Sequence, residues 1–153
     1  AETIDAARHH AKSNGLDIDY RNVLPEDMVG EGQTFDVVLN MEVVEHVADQ
    51  ALFLKTVANL VKPGGAMALS TLNRTLKSLA LAKIGAEYFL RWVPAGTHDW
   101  QKFLRPSELA NNLEPHGMKV SDLIGLGYNP VDGSWRESQN LDINYMMFAT
   151  KAK

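Results

Sequence analysis

The chain has 153 residues, no cysteine and a net charge of −4. These figures exclude a disulfide framework, a thiolate metal site and a nucleic-acid surface built on overall positive charge. Apolar residues at 45% and charged residues at 22% suit one globular domain, and no apolar run reaches the roughly 18 residues that would span a membrane.

The opening Ala1-Glu2-Thr3 starts inside a helical pattern and without Met, so this helix is expected to continue an element from upstream. Thr3 to Ser13 places Ile4, Ala7 and Ala11 on one face, and Asn14-Gly15 stops the helix. Ile18, Tyr20 and Val23 alternate as in a strand. Pro25-Glu26-Asp27 opens a loop that runs to Gly32. Phe35 to Leu39 is a nearly unbroken apolar run, the pattern of a strand covered on both faces in a parallel sheet. Ala51 to Val61 reads as a helix with Leu52, Val57, Leu60 and Val61 toward the core, ended by Pro63 and Gly64.

Ala66 to Leu72 is the next strand, and Asn73 to Trp92 is a long segment of helical pattern rich in large apolar residues. Pro94-Ala95-Gly96-Thr97 breaks it. Ser107 is placed to cap a helix from Glu108 to about His116, stopped by Gly117. Met118 to Leu126 and Ile143 to Thr150 read as strands, with Gly127 to Asp142 as a polar loop between them. Alternating strands and helices that finish in a strand pair define an α/β doubly wound sheet with an antiparallel edge element.

Chemistry concentrates where the Phe35–Leu39 strand ends. Glu42, Glu45 and His46 follow within seven residues, and ligands of open α/β sheets bind at the carboxyl ends of strands. On a helical turn, spacings of three and four would put all three side chains on one side. Two carboxylates and an imidazole suit Mg²⁺, Mn²⁺ or Zn²⁺ with positions left open for substrate, and such an ion favours an ionised phenolic oxygen. The same residues serve without metal if His46 is a general base oriented by a carboxylate. A third reading is structural: glutamates at a helix start favour the positive end of the helix dipole. A zinc-protease motif is excluded, because position 42 is Glu where that motif needs His.

Asp36-Val37-Val38 through Glu45-His46, followed by Lys62-Pro63-Gly64-Gly65, resembles the central part of a class I S-adenosylmethionine-dependent methyltransferase. Four further segments narrow the resemblance: Ser70-Thr71-Leu72-Asn73-Arg74, Gly85-Ala86-Glu87-Tyr88, Pro94 to Trp100, and Asp142-Ile143-Asn144-Tyr145-Met146. Together they are similar to the ubiquinone biosynthesis O-methyltransferases. The fold this implies is α/β, Rossmann-like, with a mostly parallel sheet and an antiparallel edge strand. Residues 1–153 would form the C-terminal major part of one methyltransferase domain.

The activity implied is methyl transfer from S-adenosyl-L-methionine to a hydroxyl of a polyprenylated phenol or catechol. The resemblance also implies a divalent metal, Mg²⁺ first, on Glu42, Glu45 and His46, with these three as the catalytic residues. Met41 would contact the cofactor, and Leu24 and Glu26 would flank its adenine. The family's first strand and Gly-rich loop, and the acidic residue that holds the ribose, have no match in this chain. The 153 residues alone are therefore expected to be inactive, and strand Ile18–Val23 is expected to lack its neighbours.

Residues 73–100 are read as an inserted lid and membrane-contact segment. Arg74, Lys77, Lys83 and Arg91 stand against Glu87 alone, a local charge of +3 among large apolar residues. A basic amphipathic helix with aromatic residues suits an anionic membrane surface. Leu79, Lys83, Tyr88, Trp92 and His98 are the residues expected to meet membrane or substrate. The expected setting is cytoplasmic and peripheral at a bacterial inner membrane, or the matrix side of the mitochondrial inner membrane, within a quinone-biosynthesis complex and with no nucleic-acid partner. The alternatives are a small-molecule methyltransferase of the same fold and a non-catalytic lipid-binding module.

Overall fold

A computed structural model of the protein describes residues 2–80, 99–129 and 132–153. In chain order the elements are α1 (Glu2–Ser13), α2 (Pro25–Gly30), β1 (Phe35–Met41), α3 (Gln50–Asn59), β2 (Val61–Leu72), α4 (Leu76–Ser78), α5 (Pro106–Leu113), β3 (Met118–Asn129), β4 (Ser134–Ser138) and β5 (Asn144–Lys151). The five strands form one sheet in the order β1-β2-β5-β3-β4. β1 and β2 are parallel and joined through α3, so their carboxyl ends lie at the same end of the sheet. The remaining pairs are antiparallel.

One face of the sheet carries the core. Met67, Leu69, Tyr145, Met147 and Ala149 pack with Phe53, Leu54 and Val57 of α3 and Leu109 and Leu113 of α5. Both of these helices begin with a defined cap. The Asp49 side chain accepts from Leu52 N–H at 2.9 Å, and Glu108 Oε2 accepts from Arg105 N–H at 2.9 Å. On the other face of β1 a row of alternate apolar residues is open. Val37 is 59% and Leu39 70% exposed, with Phe35 and Met41 in the same row. An apolar strand pattern predicts burial on both faces, and among the described residues only one face of β1 is covered.

Several expectations need correction. Residues 18–23 form no strand, and Ile18 and Val23 are exposed. The stretch from Pro25 is helical, not looped, because Pro is favoured in a first turn and Glu26 and Asp27 follow it there. Leu52 points outward at 51% exposure, while Phe53, Leu54, Val57 and Ala58 face the core. α5 begins at Pro106 with Arg105 as its N-cap, so Ser107 lies inside the helix. The polar stretch Gly127 to Asp142 contains β4, paired in a hairpin with Gly125–Asn129 of β3.

Pro63 and Gly64 stand inside β2, where the register against β1 shifts between Phe35 and Val37. Gly64 has φ +77°. At Gly65 a Cβ would come 2.7 Å from the Asp36 carbonyl oxygen, so the chain passes only where no side chain exists.

Candidate active site at the strand ends

At the end of β1 the chain leaves the sheet abruptly. Glu42 adopts φ +54°, a left-handed conformation uncommon outside glycine. Its N–H is held by the Ser70 carbonyl at 3.0 Å and the Ser70 hydroxyl at 3.2 Å. A single 3₁₀ turn, Val44–His46, follows. Val44 is fully buried in the core and anchors that turn. Glu45 comes next and is carried inward to 3% exposure, where Thr71 Oγ1 donates to its Oε2 at 2.9 Å. Burial pushes the Glu45 carboxyl up to about 7, and the neighbouring Glu42 adds to the rise; the Thr71 hydroxyl acts in the opposite direction.

Glu42 and Glu45 thus come together, and His46 stays exposed on the turn. The expected three-ligand metal centre does not form: among the described residues no group of three His, Asp or Glu side chains is placed to hold an ion. The spacing argument assumed an α-helical turn. The chain instead makes a left-handed residue and one 3₁₀ turn, which drives Glu45 into the core. Met41 is 43% and Leu24 65% exposed, both apolar and open to a ligand, and Glu26 lies in the first turn of α2. Leu79 is half-buried just beyond α4. Lys83, Tyr88, Trp92 and His98 lie outside the described residues.

The sequence singled out Ser70 and Thr71 only as part of a resemblance and gave no role to these two residues, which hold the turn. Their signal was present: two hydroxyls end the apolar run Ala66–Leu69, where a buried strand has no other use for them. Nor did it give a role to Asn40 and Asn73, buried amides at the ends of β1 and β2.

The two feet of the 73–100 segment meet. Trp100 Nε1 donates to the Thr75 carbonyl at 2.9 Å, and Arg74 pairs with Glu108 of α5. Gln50 Nε2 donates both to Val44 O at 3.2 Å and to Lys102 O at 2.6 Å, tying the carboxylate turn to the exit foot. On the entry side, Asn73 Nδ2 donates to Leu141 O at 2.8 Å, and the Thr75 hydroxyl donates to Asp142 O.

A parallel strand pair with its polar turn at the carboxyl ends, continued by an antiparallel β5 and β3, is the Rossmann-like methyltransferase architecture. The profile of the methyltransferase-domain family matches residues 2–123. The chain belongs to that family. A Ubiquinone biosynthesis O-methyltransferase of Caulobacter vibrioides is 56% identical over 98% of this chain and 60% of its own length. One of Bartonella tribocorum is 51% identical over 97% and 60%. The chain therefore spans about three fifths of the length of these curated relatives. Among solved structures, an S-adenosylmethionine-dependent methyltransferase from Clostridium acetobutylicum shares the fold with a TM-score of 0.67 at 11% identity, covering 99% of this chain and 72% of that one. The PH0226 protein from Pyrococcus horikoshii does so with a TM-score of 0.65 at 14% identity, covering 98% and 67%.

Proposed function

We propose that the whole protein methylates a hydroxyl of a polyprenylated phenol or catechol in ubiquinone biosynthesis, with S-adenosyl-L-methionine as donor. The observation that carries this reading is the 56% identity, over nearly all of this chain, to a relative bearing that name. The exposed apolar side chains of Met41 and Leu24 suit the adenosyl portion of the donor, with Glu26 beside Leu24. When bound, the donor supplies an electrophilic methyl carbon and leaves as S-adenosylhomocysteine.

The chain's own residues position and deprotonate the acceptor. His46, exposed at the turn, takes the proton of the acceptor hydroxyl. Glu42, beside the buried Glu45, presents its carboxylate at the same strand end. Thr71 and Ser70 hold this turn on β2. The Mg²⁺ that the resemblance implies does not fit the turn as folded, since Glu45 is turned inward on Thr71 and His46 outward, and no step is routed through an ion.

The basic, apolar composition of Asn73–Trp92 supports contact with an anionic membrane surface through Leu79, Lys83, Tyr88 and Trp92. It also supports work at the cytoplasmic side of a bacterial inner membrane, or the matrix side of a mitochondrial one, beside other proteins of the same pathway. The test is methyl transfer by the full-length protein from S-adenosylmethionine to a catechol, followed by mass spectrometry. A product heavier by one methylene unit is expected; no such product from a protein that binds S-adenosylhomocysteine overturns the reading.

A further inference from the structure

Among the described residues, three buried side-chain polar atoms have no hydrogen-bond partner, and all three belong to two asparagines: Nδ2 and Oδ1 of Asn40, and Oδ1 of Asn73. The two residues do not lie at scattered places. Asn40 is one residue before the end of β1, and Asn73 follows the last residue of β2, at the same end of the parallel pair. Buried amides are normally satisfied, and unpartnered ones clustered at the ligand-binding end of a sheet point to a polar group that arrives from outside.

Asn73 has the better-defined geometry. It is 8% exposed. Its backbone N–H donates to Ile143 O at 2.8 Å, and its carbonyl accepts from Thr75 N–H at 2.8 Å and from the Ser78 hydroxyl. Its side-chain Nδ2 donates to Leu141 O at 2.8 Å. That bond fixes which end of the amide faces which way, so the unpartnered atom is the oxygen. The two hydroxyls that follow it in the chain are committed elsewhere, Thr75 Oγ1 to Asp142 O and Ser78 Oγ to Asn73 O and Thr75 O, and the preceding Thr71 Oγ1 donates to Glu45. The result is a rigid acceptor without a donor. It lies two residues along the chain from Thr71, the residue that touches Glu45.

We propose that Asn73 Oδ1 receives a hydroxyl of the acceptor, the one adjacent to the oxygen that is methylated, and so makes Asn73 the residue that selects a catechol over a phenol with a single hydroxyl. This rests on the function proposed above. A buried acceptor built for a hydroxyl discriminates strongly, because a substrate lacking that group leaves the site's oxygen unsatisfied. Asn40, whose amide is open at both ends, lies at the neighbouring strand end, where the acceptor ring would pass.

The test uses the full-length protein, S-adenosylmethionine and two acceptors, catechol and 2-fluorophenol, in which fluorine replaces the neighbouring hydroxyl. Wild type should favour catechol in kcat/KM by about 10-fold or more, and Asn73→Leu should bring that ratio close to one while leaving S-adenosylhomocysteine affinity unchanged. Asn73→Asp keeps an acceptor oxygen at the position and should retain the preference. Equal losses on both acceptors in Asn73→Leu would mean a merely structural amide and overturn the proposal. So would a wild type that shows no preference, a result that stands even if the variants fail to fold. Methylation of neither acceptor by wild type overturns the proposed function, and this proposal with it.

Discussion

The hydroxyl of Thr71 on β2 and the carboxyl of Glu45, 26 positions earlier in the chain, meet at 2.9 Å inside the protein. This bond joins the turn after β1 to the strand beside it. It explains how one 3₁₀ turn can keep Glu42 in a left-handed conformation at the edge of the site. A buried carboxyl in this setting is a titrating group, and its pH response has a definite sign.

The Glu45 carboxyl is raised from 4.5 to about 7 in the folded chain. Between those values the folded state holds a proton that the unfolded state has released, so stability falls as pH rises through that window and is level above it. Glu45→Gln should flatten this slope and, above pH 7, should be more stable than wild type by on the order of 2 kcal/mol. Urea unfolding in the presence of a chelator, at steps from pH 4.5 to 8, measures both. Parallel pH profiles for the two proteins would show that Glu45 does not titrate as described.

Tyr145 is fully buried on β5 and donates to the Leu104 carbonyl at 3.0 Å. Burial, with the nearby carboxylates of Glu108, Glu45 and Glu42, drives its phenol well above the ordinary range, so it serves as a neutral donor. Tyr145→Phe leaves Leu104 O unsatisfied and should lower stability by about 1–3 kcal/mol. A urea midpoint unchanged from wild type would contradict this.

Gly65 and Gly64 are adjacent but differ in constraint. Gly65→Ala meets the Asp36 carbonyl oxygen and should destabilise by about 2 kcal/mol or more. Gly64→Ala meets only the flexible end of Lys153, and its penalty is the positive φ, about 1 kcal/mol. Thermal melts should rank Gly65→Ala as the more damaging, and the reverse order would refute the steric account.

These 153 residues alone should show no micromolar affinity for S-adenosylhomocysteine by calorimetry. The apolar row Val37 and Leu39 is open and residues 18–23 form no strand, so the described residues offer a donor little enclosing surface there. A clear micromolar isotherm would defeat this expectation.

The membrane contact is tested in the full-length protein by flotation with vesicles containing anionic lipid. Leu79→Glu combined with Tyr88→Glu places charge on the apolar stretch and should abolish flotation while circular dichroism stays unchanged. Continued flotation of that variant would remove the segment from the membrane account.

Much of this architecture was legible before any coordinates. The run Phe35–Leu39 and the apolar stretch from Ala66 announce a parallel pair, the usual setting of continuous hydrophobic strands, whereas the open face of β1 was not legible from that run. The chain's exit from the sheet at Glu42–His46 was legible for a related reason: charges directly after such a strand are out of place in a core. The direction of each side chain was not legible. That depends on a left-handed Glu42 and on Val44 entering the core, and spacing alone cannot report backbone handedness. The hairpin of β3 and β4 was hidden because β4 is mostly polar and exposed; ladder pairing and the Tyr128–Trp135 ring contact hold it. Asn73 was hidden because an unsatisfied atom is defined by what fails to approach it.

The bond from Trp100 Nε1 to the Thr75 carbonyl brings together residues 25 positions apart, and Gln50 fastens the exit beside them to the carboxylate turn. Both ends of the intervening stretch are thus held by groups outside it. Closing a longer loop across a fixed gap is only slightly less favourable, by about 0.6 kcal/mol for each doubling of length. The two feet thus form a fixed frame whose bonds lie outside residues 81–98, so sequence changes in that stretch should leave the carboxylate turn in place.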